Sequence, residues 1–383
     1  MDRSESAATT TATQNESGGE GGWGPLNLRF GANDIQGRRP YMEDRYRAVL
    51  GLKKRAPLSP DLFKKPDATS SPAENSSETE SEEEGECVSD GEACAFFAVY
   101  DGHGGQLASS FARAYLHQHL AGSENFPQAP QQALDEACSL TDERYALRYE
   151  MAGATDGTTA CMVLLKGFNL YAANVGDSRA VLCREGKPVL LSFDHKPDKE
   201  SERQRIEAAG GVVKKGSFFN IPMGPFRVYQ GDGQRGGLAV SRALGDTFYK
   251  DPKKSKDQWL VSGSPEIVEE TLNPNTDEFI LLASDGFWDV FSNEDAVTYT
   301  KKLLEERHMS PADASAALTK EAFARESLDN ITVLVITLGR GSVGGERTKA
   351  TTTNEEGTGE QQEETEKTKQ EQHVVETPQT MEQ

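Results

Sequence analysis

Strand-like runs follow one another in blocks along this chain, and helix-like runs come in pairs between the blocks. Short apolar or alternating stretches bounded by Gly, Asp or Asn occur at Tyr46–Leu50, Ala95–Tyr100, Cys161–Leu165, Asn169–Asn174, Ala180–Cys183, Glu266–Thr271, Glu278–Ala283 and Ile331–Leu338. Helical periodicity covers about 104–121 and 127–151, then 292–307 and 311–326, with a shorter helix over 198–209 that stops at Gly210-Gly211. Ser292 and Ser310 stand where N-caps belong, and Pro311 suits a first helical position. Consecutive strands between helix pairs do not make alternating βαβ units. They predict an α+β protein with antiparallel-rich sheets and helices packed outside them.

The charge is distributed unevenly. The 383 residues carry a formal net charge of −21, which argues against nucleic acid or an anionic membrane as the main partner. Nine acidic residues and no basic one lie between Glu74 and Glu92, and the last forty residues are rich in Glu, Gln and Thr. Such stretches bury too little apolar surface to offset the entropy of ordering. Residues 1–24, an insertion at about 55–93 and a tail over 341–383 are therefore expected to be disordered around a domain at 25–340. No apolar run is long enough to span a bilayer, and the start Met-Asp-Arg-Ser lacks the glycine needed for myristoylation. The five cysteines (Cys87, Cys94, Cys138, Cys161, Cys183) form no CxxC pair and no zinc-like spacing, and no signal peptide precedes them. The expectation is a soluble monomer of the cytoplasm, the nucleus or both. The clusters KKR (53–55), KK (64–65) and PKKSK (252–256) are the candidate nuclear-import signals.

Carboxylates recur where strands end. Asp101 follows AFFAVY, Asp177 follows LYAANVG, Asp285 follows EFILLAS, Asp329 precedes NITVLVITL, and Glu43-Asp44 precede YRAVL. Each alone is ordinary turn chemistry. Brought together by neighbouring strands, four or five unpaired carboxylates need a cation, because repulsion and desolvation would otherwise protonate them. Hard oxygen ligands suit Mg²⁺ or Mn²⁺.

The stretches RRPYMED, FFAVYDGHGG, DGTTA, ANVGDSRAVL, HKPDKESERQRIEAAGG, LAVSRALGD, SPEI, LLASDGFWDV and DNITVLVI occur in this order. Together they resemble the motifs of the metal-dependent type 2C protein serine/threonine phosphatases over about 28–338. The resemblance implies two central antiparallel β-sheets in a sandwich flanked by pairs of α-helices, with a two-metal centre at one end. It implies that Asp101 bridges the metals and that the Gly102 carbonyl is a further ligand. Asp285 and Asp329 would complete one metal, while Glu43 and Asp44 would hold the waters around the other. Asp177 and Asp289 match a third, weaker metal site beside Asp285. A water bridging two cations has its pKa lowered from 15.7 towards roughly 7, so the hydroxide can attack phosphorus without a phospho-enzyme. None of the cysteines lies in a phosphate-cradling CxxxxxR loop.

The same resemblance places Arg39 on the phosphate, where a guanidinium fork matches two oxygens. It makes His103 the general acid that protonates the leaving Ser or Thr oxygen of a phosphoprotein substrate, a role worth about 10²–10⁴-fold. As residues, His103 is also readable as a turn histidine bonded to a carboxylate, and Asp177 as a turn cap. Thr158 and Thr159 read as sheet residues rather than catalysts. Retention of Asp44, Asp101, Asp285 and Asp329 speaks against a non-catalytic member of the same fold.

Two regions depart from the family pattern. The acidic insertion carries Ser77, Thr79 and Ser81 with acidic residues three positions on, which suits acidophilic kinases. The flap, about 212–237, reads KKGSFFNIPMGPFRVYQGDGQRGG in its main part and contains no tryptophan. Its Phe218, Phe219 and Phe226 either form a docking surface or pack the flap down.

Overall fold

The seven residues Cys94–Tyr100 are buried on both faces, as a strand between two layers must be. In the computed structural model, which describes residues 26–63, 94–149, 153–219 and 221–339, this strand lies at the centre of the molecule. The first nine strands are β1 (Arg29–Ile35), β2 (Arg45–Leu52), β3 (Cys94–Tyr100), β4 (Gly102–His103), β5 (Gly157–Thr158), β6 (Ala160–Lys166), β7 (Asn169–Val175), β8 (Arg179–Arg184) and β9 (Lys187–Leu190). The rest are β10 (Gly211–Phe218), β11 (Ile221–Gln230), β12 (Arg235–Leu238), β13 (Leu244–Gly245), β14 (Glu266–Thr271), β15 (Asp277–Ala283) and β16 (Ile331–Thr337). The helices are α1 (Leu107–Gly122), α2 (Pro130–Tyr149), α3 (Glu200–Ala208), α4 (Asp285–Trp288), α5 (Asn293–Lys301) and α6 (Pro311–Ala324).

Two five-stranded sheets, ordered β14-β7-β6-β3-β2 and β1-β16-β15-β8-β9, are antiparallel at every pairing. Alternation decides what each face meets. Ala95, Phe97 and Val99 of β3 point inward, with Cys161 and Val163 of β6, onto Leu182, Ile280, Leu282, Leu334 and Ile336 of the other sheet. Phe96, Ala98 and Tyr100 point outward to Ala112, Leu116, Leu120, Leu134 and Ala137 of α1 and α2. Beyond the second sheet, Val181, Phe279, Leu281, Val333 and Val335 pack on Phe287, Val297, Leu303, Leu318 and Ala322. The order is helix, sheet, sheet, helix, as expected.

All eight expected strands are present. Ser292 and Ser310 cap their helices by accepting the N–H of Asp295 and Asp313, each at 3.1 Å, and Pro311 opens α6. Two boundaries and one strand differ. The run expected over 292–307 is an α-helix only to Lys301 and continues as a π turn, Lys302–Glu306. The first helix begins at Leu107 rather than 104, because Gly104 and Gly105 have φ of +72° and +141° and form a turn. Strand β1 was not foreseen: RFGANDI has little strand propensity. Its Gly31 is fixed by packing, since a Cβ there would lie 2.1 Å from the Ala312 nitrogen at the start of α6.

Of the insertion expected over 55–93, residues 55–63 are described and are packed. The Arg55 N–H donates to the Ala121 carbonyl at 2.9 Å, and Phe63 is buried with its ring edge-on to Phe111 and Tyr115. Leu58 and Phe63 give this stretch the apolar anchor that the acidic run lacks. Residues 64–93, with Ser77, Thr79, Ser81 and Lys64-Lys65, lie outside the described residues, as do 1–25 and 340–383.

The flap is a three-stranded antiparallel sheet, β10-β11-β12, covered on one side by α3. Phe226 packs it down between Arg203 and Lys215, whose cationic groups lie 5.1 and 5.3 Å from the ring centre. Phe219, at the hairpin tip, is 84% exposed. Packing the flap down therefore holds for Phe226 and not for Phe219, and the Phe218 side chain lies outside the described residues.

Candidate metal centre

Asp101 is the first residue beyond β3, and its backbone is tied on both sides to the DGTTA segment. Its N–H donates to Thr159 Oγ1 at 3.0 Å, and its carbonyl accepts the Thr159 N–H at 2.8 Å and the Thr158 hydroxyl at 3.1 Å. The threonines are thus supports, as expected. Asp177 leaves the turn after β7, and Asp285 starts α4 directly after β15. These three strand ends bring one carboxylate oxygen each of Asp101, Asp177 and Asp285 within 4.8 Å of one another.

Asp44 joins this group from the segment before β2. It is buried, accepts the Thr332 hydroxyl at 2.8 Å and shares hydrogen bonds with Ser284 and Asp101. Burial pushes its carboxyl up, to about 7, against those hydrogen bonds. Asp101 is driven well above the usual carboxylate range by burial and then by Asp44, Asp285, Asp177 and Asp329. Asp285 is raised in the same way, by burial and then Asp177. Asp289, one helical turn after Asp285, is raised by burial, with Asp177 and Asp329 adding to the effect. Acidic groups that repel one another in this way are short of positive charge. The donors are all carboxylate oxygens with no His or Cys among them, so the set fits a hard divalent cation.

The remaining site residues stand around this group. Asp329 accepts a hydrogen bond from Arg39 at 2.5 Å, and Arg39 is 52% exposed, so its guanidinium lies at the open rim. The Glu43 N–H donates to Asn330 Oδ1 at 2.8 Å, and its side chain is half-buried. Gly102 is glycine for lack of room: a Cβ would lie 2.5 Å from the Glu43 carbonyl oxygen. His103 Nε2 is 2.6 Å from Asp246 Oδ2. Burial pulls the imidazolium down, but the charge and hydrogen bond of Asp246 outweigh it, and the net shift is upward. His103 therefore does bond a carboxylate, two residues along the chain from Asp101.

Four residues with clear work at the site were not singled out from sequence. Asp246 holds His103. Lys196 pairs with Asp177. Asn330 donates to the carbonyls of Gln36 and Tyr41 at 2.7 and 2.9 Å and so braces the segment that carries Arg39 and Glu43. Asp156 accepts the Ala108 N–H in the first turn of α1 at 2.8 Å and the Tyr145 hydroxyl at 2.5 Å, placing a negative charge at a helix N-terminus. All four lie inside the motifs LAVSRALGD, HKPD, DNITVLVI and DGTTA, and that was their only signal.

The family model described as protein phosphatase 2C matches residues 68–331. The protein named probable protein phosphatase 2C 45, from Oryza sativa subsp. japonica, is 41% identical over 250 residues, 65% of this chain and 79% of that protein. Probable protein phosphatase 2C 69 of Arabidopsis thaliana is 40% identical over 245 residues, 64% of this chain and 62% of its own. A crystal structure of a serine-threonine phosphatase 2C from Toxoplasma gondii, 23% identical, superimposes with a TM-score of 0.62 over 81% of this chain and 94% of that one. At that identity the likeness speaks for the fold.

Proposed function

Because the chain belongs to the protein phosphatase 2C family, and is on that ground a protein serine/threonine phosphatase, we propose that it transfers the phosphoryl group of phosphoserine or phosphothreonine directly to water at a Mg²⁺ or Mn²⁺ centre. The observation that carries this reading is the convergence of Asp101, Asp177 and Asp285, with Arg39 and His103 at its rim. Asp101 and the Gly102 carbonyl, with Asp285, Asp329, Glu43 and Asp44, would hold two cations. Asp177, Asp285 and Asp289 would hold a weaker third. Cations bound there supply charge to the phosphoryl oxygens and make a water more acidic.

The chain's own groups do the rest. Arg39 leaves Asp329 and grips two phosphoryl oxygens in its planar fork, which orients phosphorus towards the carboxylate floor. The His103 Nε2 side is engaged by Asp246, so the proton passed to the leaving Ser or Thr oxygen is the one on Nδ1. Asp246 also keeps the ring charged until that transfer. Among the described residues no cysteine takes part: Cys94, Cys138, Cys161 and Cys183 are all buried.

Hydrolysis of a phosphothreonine peptide in ¹⁸O-water, with and without Mn²⁺, tests the proposal. The expected result is metal-dependent release of phosphate carrying one ¹⁸O, with no phosphorylated protein trapped by acid quench. Metal-independent release, or a trapped phospho-enzyme, would overturn it. For His103, the substitution His103→Ala should slow alkyl phosphates far more than p-nitrophenyl phosphate, whose leaving group needs no proton.

A further inference from the structure

Of the three converging carboxylates Asp101, Asp177 and Asp285, Asp177 is in direct contact with a cationic side chain. Lys196 lies between β9 and α3, and its ammonium contacts Asp177 Oδ2 directly. The Asp177 side chain is 5% exposed and that of Lys196 is 38% exposed, so the pair sits at the edge of the centre with its acidic member inside. The negative charges acting on its ammonium are those of Asp177 first, then Asp285 and Asp194. Asp194 is itself satisfied by two hydrogen bonds from Arg179, at 2.9 and 2.7 Å, which leaves Asp177 as the direct partner.

The lysine is also delivered by a rigid mount. The neighbouring His195 is fully buried and clasps the turn that carries Asp177: its N–H donates to the Gly176 carbonyl at 2.9 Å, and its Nδ1 accepts the Gly176 N–H at 3.2 Å. The N–H and hydroxyl of Ser241 both donate to the His195 carbonyl, at 2.9 and 3.0 Å. Asp177 and Lys196 are therefore held in register by backbone, while the four-carbon stem of the lysine keeps its freedom to swing out.

We infer that Lys196 is the resident counter-ion of Asp177, and that a divalent cation using Asp177 as a ligand binds in competition with its ammonium. This rests on the reading of the cluster as a metal centre. It adds that the chain itself weakens the Asp177 position most, because the ammonium contacts Asp177 and acts on Asp285 only through its charge. The reason is electrostatic. A divalent ion at Asp177 must either expel the lysine to solvent or share one carboxylate with it at close range, and both oppose binding.

The test counts bound metal rather than turnover. Free Mn²⁺ is measured by electron paramagnetic resonance while the full-length protein is titrated, which separates tight from weak sites. In Lys196→Met, and in Lys196→Gln as a second variant, the weak class should tighten by about tenfold or more, the scale on which one neighbouring opposite charge biases a carboxylate. The tight class should shift far less. Asp177→Asn should lose the weak class in either background. An unchanged weak class, or its loss in both Lys196 variants, would overturn the inference while leaving the metal-centre reading intact. Absence of any tight Mn²⁺ in the wild type would instead overturn that reading, and this inference with it.

Discussion

Glu202, Asp142 and Asp277 lie as deep in this protein as Asp44, yet the two sets are treated in opposite ways. Glu202 faces Arg242 at 2.7 Å and Arg205 at 3.0 Å; burial pushes its carboxyl up, and the two guanidinium groups pull it down further, to about 2. Asp142 takes two hydrogen bonds from Lys250, at 2.8 and 2.7 Å, and one from the Gly245 N–H at 2.8 Å. Arg184 grips both oxygens of Asp277. At the metal centre Asp44, Asp101 and Asp285 have mainly one another, and all three are raised. This fold supplies a fixed cation to Glu202, Asp142 and Asp277 and withholds one where Asp101 and Asp285 meet. Asp177, with its mobile lysine, stands between the two cases.

The contrast can be broken most forcefully at Asp101. The substitution Asp101→Asn should reduce phosphatase activity by on the order of 10³-fold or more, since on the proposed reading it removes a carboxylate from the middle of the cation site. In EDTA the same substitution should raise the melting temperature, because it takes one charge out of an uncompensated cluster. A lower melting temperature in EDTA would mean that Asp101 is compensated after all. The converse holds for the fixed pairs. Lys250→Met leaves Asp142 buried with only a backbone donor and should cost about 3–5 kcal/mol in denaturant unfolding. A loss below about 1 kcal/mol would show that the pair contributes no more than a surface one.

The pH dependence of the metal-free protein sharpens the comparison further. Asp44 titrates near 4 when unfolded and near 7 when folded, so its burial imposes a penalty that grows as pH rises from about 4 to about 7. Asp101 and Asp285 act in the same direction. Glu202, depressed to about 2, contributes stability that is present above about 4 and lost as pH falls through about 2. In EDTA, stability should therefore fall by on the order of a few kcal/mol between pH 5 and pH 8. Adding Mn²⁺ at pH 8 should restore it. A melting temperature that climbs from pH 5 to pH 8 without metal would contradict the assignment. The smallest effect is expected at the flap tip, where Phe219→Ala should change stability by less than about 0.5 kcal/mol, because that side chain is exposed. Any larger change in kcat/KM would mark the tip as a substrate contact.

Much of this was legible in the residues alone. Two-faced burial showed as the unbroken apolar run Cys94–Tyr100 and the apolar-rich run Ile331–Thr337, and the caps of α5 and α6 showed as Ser292 and Ser310, because both are local properties of a few consecutive side chains. The polar strand β1 did not show, since its place is decided by β16 beside it and by α6 crossing Gly31. The packing of residues 55–63 was missed for a related reason: two apolar residues in a polar stretch matter only if a hydrophobic groove lies beneath them.

The site divides along the same line. By itself the sequence determined which carboxylates would end the strands, that they would need a cation, and that Gly102 and His103 would follow Asp101. Tertiary structure alone decided what each of those groups meets. His103 finds Asp246 143 positions away through the small sheet β13-β5-β4, and Asp44 finds Thr332 288 positions away where the two large sheets close on one another, contacts that no local pattern encodes. The physical reason is range: periodicity and turn chemistry act over a few residues, whereas the field at a buried carboxylate is set by whatever the folded chain brings within a few ångströms.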